Sequence, residues 1–518
     1  MVTFQQNQKQ MKALIARRHP EYTKYETHWT FLNDTYKSDR DWFAKHIFKY
    51  IKEGEATYDN RVTRAYRFNH TREVVDLVNK YLFKTELERS VEAPTVISDF
   101  WKSATLGGLD IDQFMRQVSS KASRFGRVYI VVDSNRTESD GEIVSKADAK
   151  AAGFKVYAYV VSPEDVLDMS YDEDGEFNWV LIREIRRDDD DPFENLGELV
   201  YQYRLWTKEG WALYTVDGKK NVHLAESGEH GVGEVPVIKS DHIECEDLWR
   251  APALIDDIAY LDRAIANYLS NLDQIIQDQT FSQLIMPAQA LMQALYADDT
   301  KTEEAEAVRK RILELGVSQV LVYDGEGGGE PKYISPDPRQ AELIMKVIKQ
   351  IINEIYHTVG LAGERTKQDN AVGIDNSSGV AKAFDFERVN ALLSAKANAL
   401  ENTERRLARM VGLWQSAKIK DVEKLVEYAK DFDTRGLAQE FEIAANLQML
   451  EIPLSIRKHQ VEQMVGKMYP LLPSDVETEF NAELKNWDNN EAVDFDISAF
   501  EPNRQGQVTE DTEKKPDA

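Results

Sequence analysis

The chain has 518 residues, a formal net charge of −26, and 42% hydrophobic against 30% charged residues. That length exceeds one ordinary core, so several substructures are expected in a folded protein with a highly charged surface. The acidic balance excludes a free-standing nucleic-acid binder that grips phosphates with a basic face, but not a protein that surrounds DNA without gripping it.

The N-terminal stretch MVTFQQNQKQMKALIARR has neither the apolar core nor the cleavage site of a signal peptide. Residues 1–100 read as helical and aromatic-rich. In HTREVVDLVNKYLFKT (70–85), Val74, Val75, Val78, Tyr81 and Leu82 form one stripe at helical spacing. Residues 125–240 change character. GRVYIVVDS, FKVYAYVVS, FNWVLIREI, ELVYQYRLWT and GWALYTVD are short, β-branched and aromatic, with turn chemistry between them, and predict a mostly antiparallel β region. The longest apolar runs, such as VYIVV (128–132), have strand length and fall well short of the roughly 18 residues of a membrane span. A soluble chain, intracellular when made and without a membrane partner, is expected.

VPVIKSDHIECEDLWRAP closes the sheet region and opens a helix, with Pro252 in its first turn. Leu254, Ile258, Leu261, Ile265, Tyr268, Leu272 and Ile275 then recur at alternating spacings of four and three. Such a heptad seam wants a long helical partner, in this chain or in a neighbouring copy. Residues 281–337 read as an insertion with a charged helix, a strand (SQVLVY) and a glycine turn (DGEGGGEPKY). The following helix, with its stripe Ile344, Ile348, Ile351, Ile355 and Val359, pairs naturally with the heptad helix. A polar, glycine-bearing segment, GLAGERTKQDNAVGIDNSSG, separates it from a long helix over 378–414. That helix has a diffuse apolar pattern, which predicts different partners along its length. Residues 420–486 read as helical again, and the acidic tail from 487 as disordered.

Motifs for chemistry are sparse. The Gly-Lys pairs at Gly218 and Gly466 lack the rest of a P-loop, and the glycines of 324–330 sit among acids in a tight turn. YDEDGE (171–176) reads as a hairpin turn rather than a calcium loop, and the aspartates of 188–191 as a solvated loop. Strand alternation would set His242, Glu244 and Glu246 on one face beside Cys245, an arrangement that could hold a metal, but no second His/Cys cluster completes it. With one cysteine in the chain there is no intrachain disulfide framework. No catalytic residue, cofactor or metal is expected.

The segments YDNRVTRAYRFNHTREVVDLVNKYLF, VVSPEDVLDMSYDEDGEFNWVLIRE and SSGVAKAFDFERVNALLSAKANALENTERRLARMVGLW, in this order around the helix pair, resemble the portal proteins of tailed bacteriophages. The resemblance implies a non-enzymatic α+β protein, predominantly helical. Its parts would be a wing (1–249), a first stem helix (250–280), a clip (281–337), a second stem helix (338–361), a tunnel loop (362–378), a spine helix (379–416), a crown (417–486) and a tail (487–518). It further implies a ring of twelve copies at a capsid vertex of the virion, assembled in the bacterial cytoplasm, through which double-stranded DNA passes without sequence specificity. Implied partners are the terminase large subunit, the major capsid protein and scaffold, and a head-completion adaptor. Arg365, Lys367, Gln368, Asp369 and Asn370 would face the DNA. Leu254, Ile258, Leu261, Ile265, Leu272, Ile348 and Ile355 would pack the stem. Two rival readings are a virion or scaffold-like oligomer without a DNA channel, and a metal-dependent nuclease or hydrolase using residues 188–191, Glu244 and Glu246.

Overall fold

The computed structural model describes residues 4–84, 87–135, 154–187, 193, 197–280, 283–287, 321–323, 332–334, 337–360, 379–417, 419–430 and 432, together with helical positions 458, 461, 465, 480 and 482–486. The chain divides into two compact units, Met1–Phe432 and Asp433–Ala518. In the second, the Lys458 ammonium donates to the Lys485 carbonyl at 2.8 Å. The fold is α+β and predominantly helical.

In the first unit, helices form where a cap and an apolar stripe coincide. Asn69 accepts from the Arg72 amide at 2.8 Å and starts His70–Leu82, whose Val74, Val75, Val78 and Leu82 are buried. Asp110 does the same for Ile111–Phe125 through the Gln113 amide at 2.8 Å, and Gly126, at φ +80°, ends that helix. The next residues turn directly into the strand Arg127–Ser134, whose Val128–Val132 core is fully buried. It is the centre of a three-stranded antiparallel sheet, between Val156–Val161 and Val237–Asp241. A strand buried on both faces must be apolar throughout, which is why this run does not alternate.

The second sheet is a five-stranded antiparallel meander of Val166–Tyr171, Phe177–Arg187, Leu199–Thr207, Gly210–Val216 and Val222–Glu229. Asp172 makes its first hairpin. One carboxylate oxygen accepts from the amides of Asp174 and Glu176, and the other pairs with Lys208 at 2.8 Å. Those oxygens serve the turn and the neighbouring strand, as the hairpin reading requires. The Gln8–Ile15 helix lies on this sheet through Met11 against Ala212, Tyr214 and Val222, and the Gln8 side-chain amide exchanges two hydrogen bonds with Val222 at the sheet edge.

The heptad helix spans Ile258–Thr280, later than the sequence suggests. Pro252 and Leu254 precede it, because their stretch of backbone is committed elsewhere. The Leu254 amide donates to the Ser123 carbonyl at 3.0 Å, and the Ala253 amide to Asp256 at 2.9 Å. The strands Gln283–Pro287, Leu321–Tyr323 and Lys332–Ile334 form a separate three-stranded sheet with Gln283–Pro287 in the middle. The charged helix expected within 281–337 and the helical or disordered assignments beyond 432 lie largely outside the described residues. At 422–427 the expected helix gives way to a 3₁₀ turn and a short strand, Val426–Glu427, paired antiparallel with Glu88–Arg89.

The Gly379–Trp414 helix, 36 residues long and so about 54 Å, runs past strands of the central sheet and past several N-terminal helices. Between Lys396 and Val411 it is buried on most of its circumference, which explains its diffuse apolar pattern. One continuous core joins Trp29, Val78, Phe114, Tyr129, Trp206, Ile265, Ile355 and Leu407.

Candidate functional site

The Ile258–Thr280 helix packs against Pro338–Thr358. Ile258, Ile265 and Leu272 on the first and Ile348 and Ile355 on the second are buried, Leu261 is half-buried on the seam, and Leu254 is half-buried just outside the helix. The other side of the heptad helix is closed by polar groups. Asp262, with no exposed surface, accepts from the Thr71 amide at 3.0 Å and hydroxyl at 2.7 Å and pairs with Arg67 at 3.2 Å. Burial lowers the Arg67 pKa, and Asp262 opposes that shift. Arg61 pairs with Glu53 and donates to Ser270 at 3.0 Å. All three donors meet one carboxylate oxygen, Oδ2, and this shared acceptor ties the helix to Thr71 and Arg67 in one rotational setting.

The second helix of the pair ends in a turn. Val359 is buried, and Gly360 has φ +74°, where an added Cβ would meet the Arg388 side chain at 3.3 Å. Arg388 reaches back to His357, with 3.4 Å between its guanidinium and the His357 Nε2. The chain therefore leaves beside residue 388 and re-enters the long helix at Gly379, about 13 Å further along its axis. Residues 361–378 are strung between these tethers. Arg365, Lys367, Gln368, Asp369 and Asn370 fall within them and lie outside the described residues.

A second junction ties the long helix to the pair. The last-turn carbonyls of Ile111–Phe125 have no amide within that helix to accept from, and the Ser119 carbonyl one turn earlier, which takes the Ser123 hydroxyl at 3.0 Å, has room for a further donor. Ser123 bonds Leu254 on the approach to the heptad helix, Gly126 bonds His242 at the end of the central sheet, and Ser119 accepts from the Lys396 ammonium of the long helix at 3.0 Å. Lys396 also donates to Ser123 Oγ and, at 3.1 Å, to His242 Nδ1, so it approaches a helix C-terminus with all three N–H bonds used. Burial still dominates and lowers its pKa from 10.5 to about 7. Burial, followed by the Lys396 charge, lowers that of His242.

The sign of the resulting pH dependence follows. Between pH about 7 and 10.5 the unfolded chain holds a proton on Lys396 that the folded chain has shed, so stability rises with pH across that window, by up to ~1.4 kcal/mol per pH unit. Lys396→Met is expected to flatten this rise in denaturant unfolding between pH 7 and 9. Equal slopes in the two proteins would show that Lys396 does not titrate there.

His242 is buried on Lys396, whereas Glu244 is exposed and accepts from Asn402 at 2.7 Å, and Glu246 is exposed. The anticipated His242–Glu244–Glu246 face does not form, because the strand ends at Asp241 and alternation stops with it. Among the described residues, no group of three or more His, Cys, Asp or Glu is placed to hold a metal, and no helix is long and apolar enough to cross a membrane. The aspartates of 188–191 lie outside the described residues.

Sequence reasoning missed the buried charges of this region, including Glu401 and Glu404. Glu401 takes the Tyr428 amide at 2.9 Å; Glu404 takes the Tyr428 hydroxyl at 2.7 Å and pairs with Arg89 at 2.8 Å. A signal existed. Asp262 has Ile258, Ala259, Ile265 and Ala266 three and four residues away, and Lys396 has Leu392, Leu393, Ala399 and Leu400. A charge framed in this way on a helix must point into the core.

Residues 16–416 match the family described as phage portal protein, SPP1 Gp6-like. The chain belongs to this family. It is thus a structural protein of the DNA-channel-forming portal class in a virion context, rather than an enzyme. Solved structures similar to this portal-family chain include one titled neck of empty GTA particle computed with C6 symmetry, at 12% identity and TM-score 0.39, covering 79% of this chain and 89% of that one. Another is titled virion of native gene transfer agent (GTA) particle, at 11% identity and TM-score 0.35, with coverages of 79% and 89%. No curated protein matches the chain.

Proposed function

We propose that the protein assembles as a ring of twelve copies at one capsid vertex and forms the channel through which double-stranded DNA is packaged and ejected. The observation that carries this reading is the packed helix pair whose second member turns at Gly360 into a polar segment, tethered within the residues that match the family. In it, Ile258–Thr280 and Pro338–Thr358 are the stem, residues 281–337 a clip that docks the terminase large subunit and later the head-completion adaptor, and 362–378 the tunnel loop. Arg365, Lys367, Gln368, Asp369 and Asn370 then face the DNA. The major capsid protein and scaffold are the ring's partners at the vertex. The acidic balance suits a conduit, because like charges let DNA slide rather than stick.

The test is a native mass with negative-stain images of the same sample. Twelve copies of 59.4 kDa make about 713 kDa, seen as a ring with a central hole. A stable dimer or tetramer without a hole would overturn the reading, and a closed oligomer without a channel would support the rival virion-scaffold role. Deleting residues 367–373 is expected to leave rings intact and to cut DNA packaging or retention severely, since the tethers at Gly360 and Gly379 are untouched. Normal genome content in such particles would remove the tunnel-loop assignment.

A further inference from the structure

Leu343 and Met345 lie in the second turn of Pro338–Thr358, on either side of Ile344, which faces the core. Both are large, apolar and exposed, at 63% and 41%. Positions two apart on a helix are separated by about 200°, so these side chains leave opposite flanks of the helix. Each flank continues in kind. Val347 follows Leu343 and Ile352 follows Met345, both half-buried, while exposed Glu354 ends the first flank and exposed Lys349 sits on the second. A single exposed leucine is unremarkable on any surface. Two apolar flanks on opposite sides of one helix, with unlike charges beside them, form complementary halves of a contact that a repeated copy can complete.

Resting on the ring reading, we propose that a second copy of this chain covers these flanks head-to-tail, with Leu343 of one chain packed on Met345 of the next. A heterologous contact of this kind needs two different surfaces on opposite sides of each protomer, and closes into a ring when the rotation permits. The buried seam of Ile348 and Ile355 then holds the helix pair together within a chain, and the flanks join chains. Because Leu343 and Met345 are exposed in one chain, changing them leaves that chain's own fold intact.

The test compares native mass and thermal unfolding for the wild type, Leu343→Glu, Met345→Lys and the double variant. Each single variant is expected to weaken the contact between copies about tenfold or more, the equivalent of ~1.4 kcal/mol per contact, and so to lower the assembled fraction at a fixed concentration, because each buries an unpaired charge. The double variant sets glutamate against lysine at every contact and is expected to recover assembly, and at a dilution where no variant assembles the unfolding temperatures of all four chains are expected to agree. Single variants that assemble like a ring-forming wild type would overturn the flank contact and leave the ring reading standing. Weakened singles without recovery in the double would overturn the pairing of Leu343 with Met345. A wild type that forms no ring would overturn both.

Discussion

Ile265→Asp is expected to destabilise the Met1–Phe432 unit by about 3–5 kcal/mol. Ile265 has no exposed surface and sits on the seam with Ile258 and Leu272, facing the helix that carries Ile348 and Ile355. A carboxylate there would find no new donor. It would also stand three residues from Asp262, whose own charge already occupies Arg67 and Thr71. From the heptad alone, loss of the ring would precede unfolding of the wing. The shared core changes that expectation, because Ile265 belongs to the same cluster as Val78, Phe114 and Trp206. The helix pair and the rest of this core, with its helices and sheets, should therefore fail together in one denaturant transition. Ile265→Val, which keeps the seam apolar, should cost only about 0.5–1.5 kcal/mol. An aspartate variant within ~1 kcal/mol of the wild type would mean that the helix pair is not part of the common core.

Gly126→Ala should cost about 2–4 kcal/mol, unusually large for one methyl group. The residue has φ +80°, and an added Cβ would lie 1.9 Å from the Ala251 carbonyl oxygen and 2.7 Å from its carbon. Backbone stands on both sides of this clash, so no rotamer change relieves it. The shift would fall on the junction where His242, Leu254 and Lys396 meet the end of Ile111–Phe125. The variant should therefore also lose the pH-dependent rise in stability attributed to Lys396. Gly218→Ala is the control. Nothing lies within 4 Å of its added Cβ, and a change within ~0.5 kcal/mol is expected. Equal losses at the two sites would indicate a general glycine effect instead of the close approach at Ala251.

The stripes of the two paired helices, the antiparallel strands and the long helix were legible because each is a local period, set by which side chains a helix or strand turns to one side. The Asp172 turn was legible for a similar reason, since its carboxylate bonds amides only two and four residues away. The start of the heptad helix was not. Leu254 has good helical spacing, but its amide is taken by Ser123, 131 positions earlier in the chain, and no local pattern records that partner. The His242 face failed for the same kind of reason: the end of the strand and the arrival of Lys396 from the long helix are both tertiary facts.

By itself, then, the sequence determined the types of the strongly periodic elements, the existence of a paired helix seam and the resemblance that the family match bears out over residues 16–416. Only the tertiary structure decided that the seam lies in the same core as the sheets, that Asp262, Lys396 and Glu404 are buried and paired, and that one helix end binds three distant segments. Periodicity is written in neighbours three and four apart, whereas a buried charge or a free carbonyl is satisfied by whatever group the fold brings to it from far along the chain.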